Sequence, residues 1–276
     1  MAAETQAPGL GQEIVDLVAE RGRVYDLGHQ LFSGMPVSPM HPPYTLTLSR
    51  RYGDIPRDDG VTTANELLVM CAHTGTHIDA LGHASRNGKV HGGLDAAAVA
   101  RGGRGLTALG IETCPPIVCR GVLLDVAAWK GVDCLPPATS ITADDLQATA
   151  AAERVDIRAG DAVLVRSGWT KHFNDREAYL GDRTGAPGPD AAAVQWLIER
   201  GVRVTGGDTI AYEVRVPGRN EAPGHGLLLV DAGVPIIEVM DLEVLGRDRV
   251  YHFVFVVSPL KLVGATGSPV RPIAIA

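Results

Sequence analysis

The stretch Cys71-Ala-His-Thr-Gly-Thr-His-Ile-Asp-Ala-Leu-Gly-His83 gathers a dense set of metal-compatible side chains. It places His73, His77, Asp79 and His83 within eleven residues. Neutral imidazole nitrogens and carboxylate oxygens suit zinc and other first-row divalent ions. The stretch therefore predicts the metal-binding core of a hydrolase, around which the rest of the chain is arranged.

The parity of these positions predicts how the ligands converge. In an extended backbone, residues 73, 75, 77 and 79 point to one face, so that His73, His77 and Asp79 meet there and Gly75 leaves room for the metal. In a helix, His73 and His77 share a face but Asp79 points elsewhere. A strand or strand-to-turn conformation is therefore favoured, and the apolar segment 64–72 predicts a buried strand that runs directly into it.

Hydrophobic patterning outside this stretch predicts an α/β fold. The predicted strands cover residues 24–27, 44–51, 117–126, 161–166, 202–205, 235–238, 251–257 and 269–275. The predicted helices cover residues 10–21, 95–100, 142–153 with Thr142 as the cap, 189–200 and 227–232. Because no repeat or linker divides the chain, we expect one domain over residues 1–276, with residues 1–9 frayed.

Two distant side chains are candidates to complete a metal site. Glu238 ends an apolar strand, and a buried carboxylate is costly without a positive partner, which a metal would supply. His225 precedes a short apolar helix. Each has an alternative interpretation as a solvated residue at the end of its element. His29 and His41 lie in the proline-rich loop 28–43 and are interpreted either as pocket-lining residues or as loop-packing histidines.

Composition excludes several classes of function. The net charge of −7 and the aromatic content of 5% do not favour nucleic acid or an anionic membrane as a partner. No apolar run reaches transmembrane length, and the first residues lack the features of a signal peptide. The four cysteines form no CxxC pair. We therefore expect a reduced, cytoplasmic protein that acts on a small molecule.

The motif also resembles a known family. His73-Thr-Gly-Thr-His77-Ile-Asp79, followed by His83, is similar to the HxGTHxD…H signature of the metal-dependent cyclase-like hydrolases, which include bacterial kynurenine formamidase and isatin hydrolase. The segments 160–169 and 264–271 are also similar to that family. The resemblance implies a swivelling β/β/α fold with a β-barrel-like core, assembled as a homodimer or homotetramer.

The resemblance further implies roles for individual residues. In the formamidase-type members, the positions of His73 and His77 bind one metal, and the position of Asp79 bridges two. The position of His225 binds the second metal, and the position of Glu238 binds or bridges. In the isatin-hydrolase type, a single manganese is held at the positions of His73, His77 and Asp79. We therefore expect one or two divalent ions per subunit, with zinc favoured and manganese as the alternative.

The expected reaction is hydrolysis of a non-peptide C–N bond in an amide, a cyclic amide or an N-formyl amine. A divalent metal activates water and polarises the carbonyl, and His83 is expected to carry the proton as general acid and base. The alternatives are a lyase, a dehydratase or a lactone-acting enzyme on the same metal, and a non-catalytic metal-binding protein. Trp169, Tyr212 and Arg215 are candidates to line the pocket or to serve only in packing.

Overall fold

The computed structural model describes residue 15, residues 18–20 and residues 22–276. The frayed end predicted over residues 1–9 and most of the helix predicted over residues 10–21 lie outside the described residues. No helix in the described part of the chain has the length and apolar character needed to span a bilayer.

The described residues form thirteen strands. These are β1 (Val24–Asp26), β2 (Thr45–Arg50), β3 (Asn65–Val69), β4 (His77–Asp79), β5 (Ile117–Asp125), β6 (Ser140–Ile141), β7 (Ala162–Arg166), β8 (Gly188–Pro189), β9 (Val204–Gly207), β10 (Ile236–Glu238), β11 (His252–Val257), β12 (Gly267–Pro269) and β13 (Ile273–Ile275). Nine of them form one sheet in the order β1-β13-β11-β5-β7-β9-β10-β4-β12, while β2 pairs with β3 and β6 pairs with β8.

The α-helices are short and lie between the strands. They are α1 (Ala96–Val99), α2 (Val126–Trp129), α3 (Ala143–Glu153), α4 (Arg176–Leu180), α5 (Ala191–Glu199), α6 (Pro223–His225) and α7 (Glu243–Asp248). A π-helix, Gly226–Ala232, continues α6, and 3₁₀ turns lie at His91–Gly93, Ile111–Thr113 and Trp169–His172. The predicted cap of α3 is confirmed, because Thr142 and Asp145 form a reciprocal capping box.

The sheet is covered on both faces along its central parallel strands, β5, β7, β9 and β10. On β7, Val163 and Val165 pack in one apolar cluster with side chains of α3 and α5, whereas Ala162 and Leu164 pack in a second cluster on the other face. Strands buried on both faces are near-continuous apolar runs, which is why β5 and β7 were predictable from the sequence. The expected α/β domain is confirmed, with the nine-stranded sheet curled into a half-barrel.

One predicted strand has the wrong environment. The segment predicted as a buried strand over residues 64–72 forms β3, which is exposed along its whole length and, among the described residues, pairs only with β2. Leu67 and Leu68 are 56% and 48% exposed. The prediction fails because an apolar run does not specify what covers it, and here a two-stranded hairpin leaves both faces open.

Two other boundaries differ from the predictions. Pro189 ends β8 instead of opening the next helix, which begins after the capping residue Asp190. The last predicted strand, over residues 269–275, is two strands, because β12 pairs with β4 while β13 pairs with β1 and β11. This change of partner brings β12 to the edge of the candidate site.

Candidate metal centre

The candidate site forms where β4 and β10 pair in antiparallel register. Glu238 lies opposite His77, and Ile237 lies opposite Ile78. Side chains alternate between the faces of a strand, so the two isoleucines enter the core while His77, Asp79 and Glu238 share the other face. The carboxyl end of β10 thus presents its acid at the sheet edge, where α/β folds commonly bind ligands.

His73 reaches the same face from a turn rather than from a continuous strand. The N–H of Thr74 donates to the carbonyl of Cys71, and Gly75 has a left-handed backbone with φ of 65°. The predicted reason for Gly75 is wrong, because an added Cβ there would lie 2.3 Å from Leu31 Cδ2. Gly75 therefore serves the turn and the packing of the loop 28–43, and it does not provide space for a metal.

Backbone and hydroxyl contacts orient the two imidazoles of this stretch. His77 Nδ1 lies 2.8 Å from the carbonyl oxygen of Gly75, so a proton on Nδ1 leaves Nε2 free. His73 Nε2 lies 2.8 Å from Thr266 Oγ1, and its Nδ1 is directed at Asp79. A metal-binding histidine commonly donates its other ring N–H to such a partner. His77 Nε2 and His73 Nδ1 both face Asp79.

The two central carboxylates are surrounded by imidazole nitrogens. Asp79 Oδ1 lies 2.7 Å from His73 Nδ1 and 3.6 Å from His77 Nε2. His225 Nε2 lies 3.5 Å from Asp79 Oδ2 and 3.4 Å from Glu238 Oε1. The remaining oxygen, Glu238 Oε2, lies 3.4 Å from His77 Nε2. Two donors that are each about 2.1 Å from a tetrahedral zinc are about 3.4 Å apart. The four separations of 3.4–3.6 Å therefore suit ligands that share an ion, whereas the 2.7 Å contact of His73 with Asp79 has the length of a hydrogen bond.

Three of the four carboxylate oxygens of Asp79 and Glu238 have no well-directed hydrogen bond among the described residues, although Asp79 Oδ1 lies 2.7 Å from His73 Nδ1. Asp79 is fully buried and Glu238 is 5% exposed, yet neither oxygen of Asp79 nor Oε1 of Glu238 accepts one in the described part of the chain. Buried carboxylates in this state are strongly unfavourable unless a cation accompanies them. Two groups of donors meet the spacing of a metal site and share Asp79: His73, Asp79 and His83; and His77, Asp79 and Glu238. The residues therefore fit a divalent cation.

The electrostatics of the metal-free site reflect the same crowding. Burial raises the pKa of Glu238, with only partial opposition from His77. Burial also acts to raise the pKa of Asp79, but His83, His73 and His77 outweigh it and the pKa is lowered. For His83, burial and the neighbouring imidazoles lower the pKa to about 4 against the opposing charge of Asp79. At neutral pH His83 is therefore an uncharged base beside the carboxylates.

Glu213 joins the site although it was not among the predicted residues. It is 3% exposed, and both of its carboxylate oxygens lie 2.9 Å from His225 Nδ1. Burial would lower the pKa of His225, but Glu213, Glu238 and Asp79 raise it to about 10. A carboxylate behind a metal-binding imidazole is a general expectation, but no spacing rule in the sequence indicates which acid will fill that place.

A cavity of about 310 Å³ opens beside these donors. His73, His77, His83, His225 and Glu238 all line it. Its other walls comprise the loop residues Ser38, Pro39, Met40 and His41 and the residues Leu180, Asp182, Ile210, Ala211, Glu213, Arg215, Asn220, Glu221 and Ala222. The structure thus brings five of the six predicted site residues to one cavity, while the sixth, Asp79, is fully buried in contact with His73, His77 and His225.

The remaining sequence candidates divide between the cavity and the core. His41 and Arg215 line the cavity, and the buried Nδ1 of His41 has no hydrogen-bond partner among the described residues. His29 instead stacks on Phe173 with ring centroids 3.8 Å apart. Trp169 and Tyr212 are buried in the core at 2% and 1% exposure, which agrees with the packing alternative.

Comparison with known proteins agrees with this architecture. Residues 25–214 match the Cyclase family model. An isatin hydrolase from Roseibium aggregatum is 28% identical over 223 residues, which cover 79% of this chain and 76% of that protein. The crystal structure of a novel cyclase has a TM-score of 0.84 and 29% identity, over 96% of this chain and 93% of the other. Isatin hydrolase A from Ralstonia solanacearum has a TM-score of 0.76 and 25% identity, over 100% of both chains.

Proposed function

The chain belongs to the Cyclase family, and from that premise we propose that it is a metal-dependent hydrolase of a non-peptide C–N bond in a small molecule. The proposal is carried by both oxygens of Asp79 and by Oε1 of Glu238, which are buried without a hydrogen-bond partner in the described part of the chain; Asp79 Oδ2 and Glu238 Oε1 face His225 Nε2 at ligand spacing. It is supported by two relatives that are named isatin hydrolases. The reactive group is an amide, a cyclic amide or an N-formyl amine.

The ion is held by His73, His77, Asp79, His225 and Glu238, and we propose zinc, or alternatively manganese, at one or two positions. When bound, a divalent ion polarises a carbonyl and lowers the pKa of water towards neutrality. The protein contributes a cavity beside the donors and two carboxylates that compensate the ionic charge. These parts are preorganised by the β4–β10 register.

Proton transfer is assigned to His83. Its ring centroid lies 4.1 Å from that of His73 and 5.7 Å from that of His225, so its imidazole borders the donors. Since its pKa is lowered to about 4, an unprotonated ring nitrogen is available at neutral pH to accept a proton from water. The same nitrogen then returns the proton to the leaving nitrogen of the substrate. Asp79 orients the water by accepting its second hydrogen bond.

The cavity lining supports a non-aromatic substrate. Met40, Leu180 and Ile210 supply its apolar lining, while no Phe, Tyr or Trp of the described residues lines it. Flat aromatic rings are usually bound against other aromatic side chains. The unpartnered Nδ1 of His41 supplies a hydrogen bond for a substrate carbonyl or N–H. We therefore propose an aliphatic cyclic amide or imide in preference to isatin.

Metal analysis of the purified protein, followed by a substrate screen, tests the proposal. The screen contains aliphatic cyclic imides, N-formyl amines, isatin and lactones, with acid release as the readout. We expect at least one divalent ion per chain and activity on a cyclic imide, with both lost in His77→Ala and both retained in the surface control His252→Ala. Full activity in a metal-free variant contradicts the hydrolase mechanism, and a product that gains no water indicates a lyase instead.

A further inference from the structure

The carboxylate of Glu213 is committed to one neighbour. Both of its oxygens lie 2.9 Å from His225 Nδ1, and the backbone N–H of His225 donates to Oε2 at 3.2 Å. Within the described residues, every hydrogen bond that this carboxylate accepts comes from His225. A buried carboxylate whose hydrogen bonds all come from one residue constrains the orientation of that residue.

The backbone around Glu213 is shaped to place it there. The preceding residue, Tyr212, has a left-handed φ of 54°, a conformation that is strained for a non-glycine residue. Tyr212 is held in place by a 2.7 Å contact between its hydroxyl and Thr205 Oγ1. On the other side, a Cβ added to Gly224 would lie 2.3 Å from Glu213 Oε2. A strained residue and a glycine thus both allow the carboxylate to approach His225.

This contact determines which nitrogen of His225 faces the site. An ionised carboxylate only accepts hydrogen bonds, so Nδ1 of His225 carries the proton that it donates to Glu213. With Nδ1–H committed to Glu213, Nε2 is the ring atom that faces the site, 3.5 Å from Asp79 Oδ2 and 3.4 Å from Glu238 Oε1, and it is the atom that would give up its proton to bind a cation. Without Glu213, the imidazole could rotate about its side-chain torsions or adopt the other tautomer, which would direct an N–H towards the ion.

We propose that Glu213 is a positioning residue that fixes the tautomer and orientation of His225, so that Nε2 completes a cation position with Asp79 and Glu238. The proposal rests on the metal-dependent function proposed above. Glu213 does not touch the ion or the substrate in this role. Its influence passes through His225, which lies against Asp79 Oδ2, whereas His73 lies against Asp79 Oδ1.

Metal-binding measurements on Glu213→Gln and Glu213→Ala test the proposal. The number of ions per chain is measured after dialysis, and affinity is measured by competition with a chelator. Loss of a partner of this kind typically weakens metal binding about 10–100-fold, and we expect that loss at the position that includes His225. Glu221→Gln is the matched control, because Glu221 lines the same cavity and has no hydrogen bond to His225 among the described residues.

A double-mutant cycle separates positioning from general stability. If Glu213 acts through His225, then Glu213→Ala in the His225→Ala background weakens metal binding no further, whereas thermal unfolding monitors the fold independently. The proposal is overturned if the Glu213 variants retain the wild-type number and affinity of ions, or if the two substitutions weaken binding additively. A wild-type protein that binds no metal overturns the proposed function and this inference together.

Discussion

Gly267→Ala is predicted to displace His73 without removing any donor from the metal centre. Gly267 lies on β12 directly opposite Asp79. A Cβ built there would lie 2.6 Å from His73 Cε1, 3.0 Å from His73 Nε2 and 2.9 Å from the carbonyl oxygen of Ile78. Carbon atoms in contact prefer about 3.5–4.0 Å, so the imidazole must move by about 1 Å. The backbone carbonyl of Ile78, inside the sheet, is less free to yield.

The displacement is large compared with what a metal site tolerates. Ligand distances in such sites are held within about 0.2 Å, so a 1 Å shift of His73 should weaken metal binding at least about 10-fold, by analogy with the loss of a supporting contact. Overpacking should also lower the free energy of unfolding by about 1–3 kcal/mol. Chelator competition measures the affinity, and urea unfolding of the metal-free protein measures the stability.

Gly103→Ala is the control for Gly267→Ala, because it makes the same substitution at a glycine with no atom within 4 Å of the added Cβ. We expect that control to bind metal like the wild type. If Gly267→Ala also kept wild-type metal affinity and stability, the close packing of His73 against β12 would be refuted. A loss of stability with unchanged metal affinity would show that His73 is not a ligand.

Three further predictions concern charges and caps outside the metal centre. Arg166→Ala should lower the free energy of unfolding by about 3–5 kcal/mol in urea titrations, because Asp125 is 1% exposed and loses its 2.8 Å ion pair, as does Glu243. Burial raises the pKa of Glu153 to about 8; the folded state therefore retains a proton that the unfolded state loses, and stability should fall between about pH 4.5 and pH 8. Glu153→Gln should reduce this pH-dependent loss of unfolding free energy by on the order of 1–2 kcal/mol, a figure that allows for solvent screening. If the variant showed the same pH dependence as the wild type, the raised pKa of Glu153 would be contradicted. Thr142→Ala should cost about 1 kcal/mol by the same assay through loss of the capping box on α3, and a neutral result would exclude that contribution.

The parts of the fold that sequence predicts are those with a local cause. The β7 strand was predictable because both of its faces are buried and the residues Ala162–Arg166 form an apolar run. The start of α3 was predictable because Thr142 and Asp145 satisfy each other's backbone N–H groups. The exposure of β3 was not predictable, because the same apolar run is compatible with a buried strand. Its side chains are exposed because β3 pairs with β2 outside the nine-stranded sheet. The partner change between β12 and β13 likewise depends on pairings with distant strands.

The candidate site divides in the same way, and the division indicates where the chemistry is most sensitive. His73, His77 and Asp79 are local in sequence, and their grouping follows from spacing alone. Glu238 meets them through the β4–β10 register, and His225 reaches them from the end of α6 with its Nδ1 against Glu213, an acid that no local pattern identifies. A one-residue register slip would turn Glu238 into the core and bring Ile237 to the site. The half of the site assembled by long-range contacts is therefore the half that mutations far from the histidine motif can remove, while the motif itself stays intact.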